Sequence, residues 1–185
     1  MTRREFEHFP NLVTMFFTRA SENGDKPFLS AKRGGKWEPI SWAEAARQVA
    51  SLANALQSMG LKRGDRVMIV SENRPEWCIA DLGIMAGGFI SVPTYATNTE
   101  RDHQHIIEDS GASAIIVSNA KQGQVVMPAA IRATNAHHLI GMEPLRSGQD
   151  TGVQIHEWVN MVNRTDADVE ACAAFAATLT RNETA

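Results

Sequence analysis

Residues 64–95 constrain the fold more than any other stretch of this 185-residue chain. A Gly64-Asp65 turn feeds a β-branched, apolar run at residues 66–71. Asn73-Arg74-Pro75 breaks that run and opens a helix, and Gly87-Gly88 closes the helix before a second apolar run at residues 89–93. Both runs are almost continuous in apolar residues, as parallel strands covered on both faces are, and the connection of about 17 residues is long enough for a helical crossover. The stretch predicts one β-α-β unit, which needs further parallel strands around it to bury its faces.

The rest of the chain supplies them. Residues 11–20 read as a short amphipathic helix with Leu12, Met15 and Phe16 on one stripe, ended by turn chemistry at residues 23–27. Residues 28–31 and 36–40 flank Arg33-Gly34-Gly35 as a β-hairpin. Ser41 and Glu44 have the spacing of a capping box, followed at helical spacing by Trp42, Ala45, Ala46, Val49, Leu52, Ala53, Leu56 and Met59 until Gly60 stops the helix. Beyond Pro93, Thr99 is the expected N-cap of a helix reaching Asp109. A third strand is expected at 114–117, a helix at 121–134 interrupted by Pro128, and a fourth strand at 138–140. Strand and helix alternate at about 22 to 25 residues, so the expected fold is α/β, an open, mainly parallel sheet with helices on both faces. From Glu143 a Pro, Gly, Ser and Asp-rich loop is expected as far as Gly152, then helices at 155–162 and 168–179. Three parts follow: residues 1–40, an amino-terminal helix and hairpin; 41–145, the α/β sheet subdomain; and 146–185, a loop and helices leading toward a second subdomain.

Composition removes several function classes. The net charge of -3 gives no electrostatic case for nucleic acid or an anionic membrane, and no Lys/Arg run exceeds two residues. Cys78 and Cys172 have neither CxxC nor Cys/His ligand spacing, which predicts free thiols and a reducing compartment, the cytoplasm. The first residues include Arg3, Arg4, Glu5, Glu7 and His8, so no signal peptide is expected, and no run approaches the roughly 18 apolar residues of a membrane span.

Motifs are informative mainly by exclusion. A dinucleotide fold needs glycines straight after the first parallel strand, so that backbone N–H groups reach a pyrophosphate. Here residues 71–75 hold no glycine and carry Glu72, a carboxylate that repels phosphate. No P-loop motif occurs. His103 and His105 lie two apart on an expected helix, about 200° around it, and His137 and His138 point to opposite faces of an expected strand, so neither pair can share a metal ion. Arg63-Gly64-Asp65 spells an adhesion tripeptide but falls where a turn is required. Ligands of open α/β sheets collect at the carboxyl ends of strands, which here are residues 71–74, 94–98 and 118–121. Of these loops only the last places an unpaired cation, Lys121, beside a helix N-terminus, an arrangement that suits phosphate.

Three phrases then carry a resemblance: ISWAEAA at 40–46, SENRPEW at 71–77 and MAGGFISVPTY at 85–95. With a colinear match from about Pro27 onward, the chain resembles the amino-terminal part of the AMP-forming acyl-CoA synthetases, an adenylate-forming family that includes luciferases and peptide-synthetase adenylation domains. SENRPEW is most similar to the long-chain fatty-acid CoA ligases. The resemblance implies a parent enzyme that uses ATP and Mg²⁺ to convert a fatty acid to acyl-AMP, then passes the acyl group to CoA. It also implies a phosphate loop, a Thr-Glu pair, a ribose-binding Asp and a carboxy-terminal Lys, none of which lies in residues 1–185. No catalytic residue and no metal ligand is therefore expected in the chain, which would be an inactive scaffold with one wall of the CoA channel. Lys121 is the candidate for a CoA phosphate, because the family uses basic residues from roughly this region. An exposed apolar patch, or a dimer or crystal contact, is expected around Met161, Val162, Phe175 and Leu179. The alternative is a stand-alone flavodoxin-like binding or interaction module, since such sheets host many functions.

Overall fold

The computed structural model describes residues 8–145, 152–164, 166–180 and 182–184. The elements run α1 (Leu12–Asn23), β1 (Pro27–Arg33), β2 (Lys36–Ser41), α2 (Trp42–Ser58), β3 (Arg66–Val70), α3 (Pro75–Ala86), β4 (Ile90–Thr94), α4 (Glu100–Ser110), β5 (Ala114–Val117), α5 (Ala120–Arg132), β6 (His138–Gly141), β7 (Gln154–Glu157), α6 (Trp158–Val162) and α7 (Val169–Ala176). β1 and β2 form the expected antiparallel hairpin. The other five strands make one sheet in the order β4-β3-β5-β6-β7, every pairing parallel. The chain begins this sheet at β3, places β4 on one side, and returns to build outward from β5 on the other. Its direction therefore switches between β3 and β5.

Two cores follow from the period-two geometry of the central strands. Val67, Ile69, Ala114, Ile116 and Ile140 point to one face, where they pack with α1, α2, α3 and α6. Met68, Val70, Ile115, Val117 and Leu139 point to the other, under α4 and α5. The four expected core residues on β3 and β5, Val67, Ile69, Ile115 and Val117, are fully buried. Ile90 and Val92 are half-buried, because β4 is an edge strand. On β4, Ile90 donates its N–H to Asp65 O. By the strand period, Val92 and Thr94 also turn toward β3, leaving Ser91 and Pro93 facing the open edge.

Helix ends follow local chemistry with one departure. Ser41 Oγ accepts from Glu44 N at 3.2 Å, the expected cap, but the Glu44 carboxylate binds Arg47 and Gln48 instead of returning to Ser41. A reciprocal capping box forms at α4, between Thr99 and Asp102. Pro128 lies within α5 without ending it.

The main correction concerns residues 155–162, expected as a helix. Residues 154–157 are strand β7, in register with β6 from His138–Gln154 to Gly141–Glu157, and only Trp158–Val162 is helical. The stretch is too short for periodicity to separate strand from helix, and pairing on the free edge of β6 decides it. The helix expected at 168–179 is Val169–Ala176, capped by Asp168. Much of the loop expected to reach Gly152 lies outside the described residues, as do residues 1–7. Of the expected apolar patch, Met161 and Val162 are buried in the core while Phe175 and Leu179 stay partly exposed. No helix among the described residues is long and apolar enough to cross a membrane.

Two positions make the packing testable. Gly83 of α3 faces Leu52 of α2 so closely that an added Cβ would stand 2.7 Å from Leu52 Cδ2. Gly83→Ala is expected to cost ~1–3 kcal/mol by overpacking, and Leu52→Ala ~2–5 kcal/mol by cavity formation. In urea denaturation the double variant should cost less than the sum, since each change relieves the other; strict additivity would show that the two helices do not meet here. His103 on α4 is fully buried, and neither ring nitrogen has a hydrogen-bond partner among the described residues. Burial lowers its pKa, only partly opposed by Asp102. The folded state holds the ring neutral while the unfolded chain takes a proton, so this residue erodes stability as pH falls below about 6.5. His103→Leu is expected to raise stability by ~1–2 kcal/mol near pH 7 and to flatten the loss toward pH 5; a destabilised or equally acid-sensitive variant would refute this.

Candidate functional site

At the switch point the carboxyl ends of β3, β5 and β6 converge on one guanidinium. Arg74, extended at the N-cap position of α3, donates Nε to Glu76 at 2.9 Å and Nη1 to Glu143 at 2.9 Å, and Nη1 reaches the Ser118 carbonyl at 3.3 Å. Glu72 lies 3.8 Å from the same Nη1, and Glu76 also receives Arg33 from the hairpin. Ser71 Oγ donates to Glu72 O at 2.8 Å. Pro75 at the first turn of α3 has no N–H to satisfy, and it fixes the turn that points Arg74 into the crevice. Burial alone raises the Glu72 and Glu76 carboxyls. The Ser118 hydrogen bond on Glu72, and the Arg74 hydrogen bond and Arg33 and Arg74 charges on Glu76, outweigh it and hold both below the usual glutamate range.

The three loops expected at the carboxyl ends do lie there and are linked, Arg74 of the first reaching the Ser118 carbonyl of the last. Gln122 Nε2 donates to Ala96 O at 2.9 Å, joining the α5 start to the loop after β4. Lys121 is exposed in the first turn of α5. The N–H groups of Lys121 and Gln122 already donate to Asn119 Oδ1, at 3.0 and 3.1 Å, so this helix start is capped by its own side chain. Lys121 therefore offers an exposed charge and not a ready-made anion cradle. His103 is buried and His105 exposed on α4, and His137 is exposed beside half-buried His138, so neither sequence pair converges. Asp65 closes the 62–65 turn through Lys62, as a turn reading of Arg63-Gly64-Asp65 requires.

Two features were not anticipated. Arg74 was legible only as part of a strand-breaking turn: Glu72 and Glu76 flank it, but Ser118 and Glu143 lie 44 and 69 positions away. His138 Nδ1 stands 3.1 Å from His156 Nε2, a contact hidden by the expectation of a helix at 155–162. Two large cavities lie away from Lys121. An apolar one of about 490 Å³ is bounded by Phe9, Leu12, Met15, Met85, Phe89 and Leu179. A second, of about 560 Å³, lies between the hairpin and α6 and includes Arg33, Glu44, Glu76 and Trp158.

Comparison with known proteins bears on this arrangement. The family model described as AMP-binding enzyme matches residues 16–177. The long-chain-fatty-acid–CoA ligase FadD15 of Mycobacterium tuberculosis is 33% identical over 116 residues, 63% of this chain and 19% of that protein. The long-chain-fatty-acid–CoA ligase ACSBG2 of Rattus norvegicus is 30% identical over 119 residues, 64% of this chain and 18% of that protein. The chain thus spans about a fifth of the length of these relatives. Among solved structures, coronafacic acid ligase from Pectobacterium brasiliense superposes with a TM-score of 0.69 at 16% identity, covering 82% of this chain and 29% of that one. Acetoacetyl-CoA synthetase from Streptomyces lividans gives 0.66 at 21% identity, covering 82% and 25%. These two likenesses are of fold, and the fold agrees with the open parallel sheet expected from the sequence. With most of its length matched by the family model, the chain belongs to the AMP-binding enzyme family.

Proposed function

We propose that the chain is the amino-terminal portion of an AMP-forming long-chain acyl-CoA synthetase. The whole protein would join a fatty acid to ATP as acyl-AMP, releasing pyrophosphate, and then transfer the acyl group to the CoA thiol. The observation that carries the reading is the family match over residues 16–177 together with relatives named as long-chain-fatty-acid–CoA ligases. Residues 1–40, 41–145 and 146–185 are proposed as the hairpin-bearing start, the sheet subdomain and the passage to a second subdomain. Free Cys78 and Cys172 support a cytoplasmic setting; burial pushes the Cys172 thiol up to about 11, keeping it unreactive.

The residues described here do not fit Mg²⁺ or a nucleotide triphosphate. No group of three or more His, Cys, Asp or Glu among them is placed to hold a metal ion, and Glu72, Glu76 and Glu143 are committed to Arg74. The part assigned to this chain is a scaffold, with Lys121 meeting a CoA phosphate at one wall of the channel. The apolar cavity bounded by Phe9, Leu12 and Leu179 is proposed as the face against which the remainder of the protein, or a second copy, packs. The strand order is also that of flavodoxin-like sheets. Against a stand-alone module of that kind stands the β3 loop, filled by Arg74 and its carboxylates where such a module would seat its ligand.

The purified 185-residue chain is expected to show no fatty-acid-dependent ATP–pyrophosphate exchange and no ATP binding at micromolar concentration. CoA should bind weakly, and Lys121→Ala should reduce that affinity roughly five- to tenfold, the loss of about 1 kcal/mol from one exposed charge. Calorimetry decides both points. Measurable exchange sinks the scaffold assignment, and CoA binding indifferent to the substitution sinks the Lys121 assignment.

A further inference from the structure

His138 opens β6 and His156 lies within β7. The register sets His138 opposite Gln154 and Ile140 opposite His156, so the two histidines are staggered by two residues and share one face of the sheet. Nδ1 of His138 and Nε2 of His156 stand 3.1 Å apart, with ring centroids separated by 5.2 Å and ring planes inclined at 50°. Two imidazoles meeting nitrogen to nitrogen can share a proton or share a cation. Metal–nitrogen bonds of about 2.0–2.1 Å that meet at 90–110° place two ligand nitrogens roughly 2.9–3.4 Å apart. The observed separation falls inside that interval without any movement of the strands. Only the ring torsions must turn, and histidine χ2 is broad.

We propose that His138 and His156 form a two-imidazole binding site for a borderline transition-metal dication of the Zn²⁺ or Ni²⁺ class, with water completing its coordination. Imidazole is a preferred ligand of these ions, whereas Mg²⁺ and Ca²⁺ select oxygen. Room for the water exists beside His156, in a cavity of about 460 Å³ whose wall includes Glu157, Asn160, Met161 and Arg164. The cation on that wall, Arg164, is paired with Asp166 at 2.6 Å, and Glu157 adds a negative charge, so the local field does not oppose a dication. Burial lowers the pKa of both rings, and His156 and His137 lower that of His138 further. Both are therefore neutral near pH 7, the form that ligates metal. No third His, Cys, Asp or Glu joins them among the described residues. Half the donor set of a structural zinc site corresponds to a dissociation constant of about one to a hundred micromolar. A bound ion would clamp β7 to β6, because each strand supplies one ligand. The site is independent of the acyl-CoA reading.

Zn²⁺ titrated into the 185-residue chain near pH 7.5 should bind with one-to-one stoichiometry. It should raise Tm by about 3–6 °C at tenfold excess over the dissociation constant. His138→Gln and His156→Gln should each weaken binding at least tenfold, while His137→Gln, on the opposite face, should leave it unchanged. In the unsubstituted protein, long-range nitrogen–proton correlation spectra should shift His138 Nδ1 and His156 Nε2, a readout that holds even if a variant folds poorly. Absence of saturable binding up to about 1 mM, binding that survives both substitutions, or shifts confined to His8 or His105 would overturn the site.

Discussion

β3 and β5 have no wet side, and the architecture follows from that constraint. A strand such as Val67, Met68, Ile69 and Val70, buried at every position, needs an apolar cover above and below and a hydrogen-bonded neighbour on each edge. Parallel pairing meets the edge requirement only if each connection crosses a face, so the helices that join the strands are also the covers. α3 and α4 lie on opposite faces because the chain first steps one way from β3 and then the other. The crevice between β3 and β5 is a by-product of that reversal, and the close approach of Leu52 to Gly83 is where the cover on one side is tightest.

What fills the crevice separates this chain from the nucleotide folds that it resembles in outline. Arg74 is held among three glutamates and a backbone carbonyl, so an incoming phosphate would have to compete with carboxylates already in place. The network ties the ends of β3, β5 and β6 and the start of α3 to the hairpin through Arg33. Its role in the geometry is to fix the relative positions of those loops. Anion binding, where it occurs on this chain, must depend on charges outside the crevice.

The sequence was most legible where one face or one turn decided the structure locally. The residue 66–70 strand, the Ser41-capped helix and the Gly87-Gly88 stop were all visible, because continuous burial, a side-chain cap and a left-handed turn each leave a residue-type signature. Residues 154–157 carried no such signature: four residues rich in neither charge nor β-branching take their conformation from the exposed edge of β6. The His138–His156 contact was lost with them, since two residues 18 positions apart come together only once the register is known. Arg74 was hidden for the same reason. Lys121 could be placed at a helix start from its spacing, but that Asn119 already occupies the first N–H groups depends on a rotamer that spacing does not encode.

The sheet also has an outer boundary at β4. With Ser91 and Pro93 turned to the open side, one of the two outward positions of that strand has no hydrogen to offer. An added strand from another molecule would lose a rung of its ladder at the middle of the pairing. The edge is thus poorly suited to templated growth although Ile90 and Val92 are apolar. A partner approaching from this direction gains little from main-chain pairing and must be recognised through side-chain surface, of which Tyr95, 79% exposed at the strand's end, is the most prominent element.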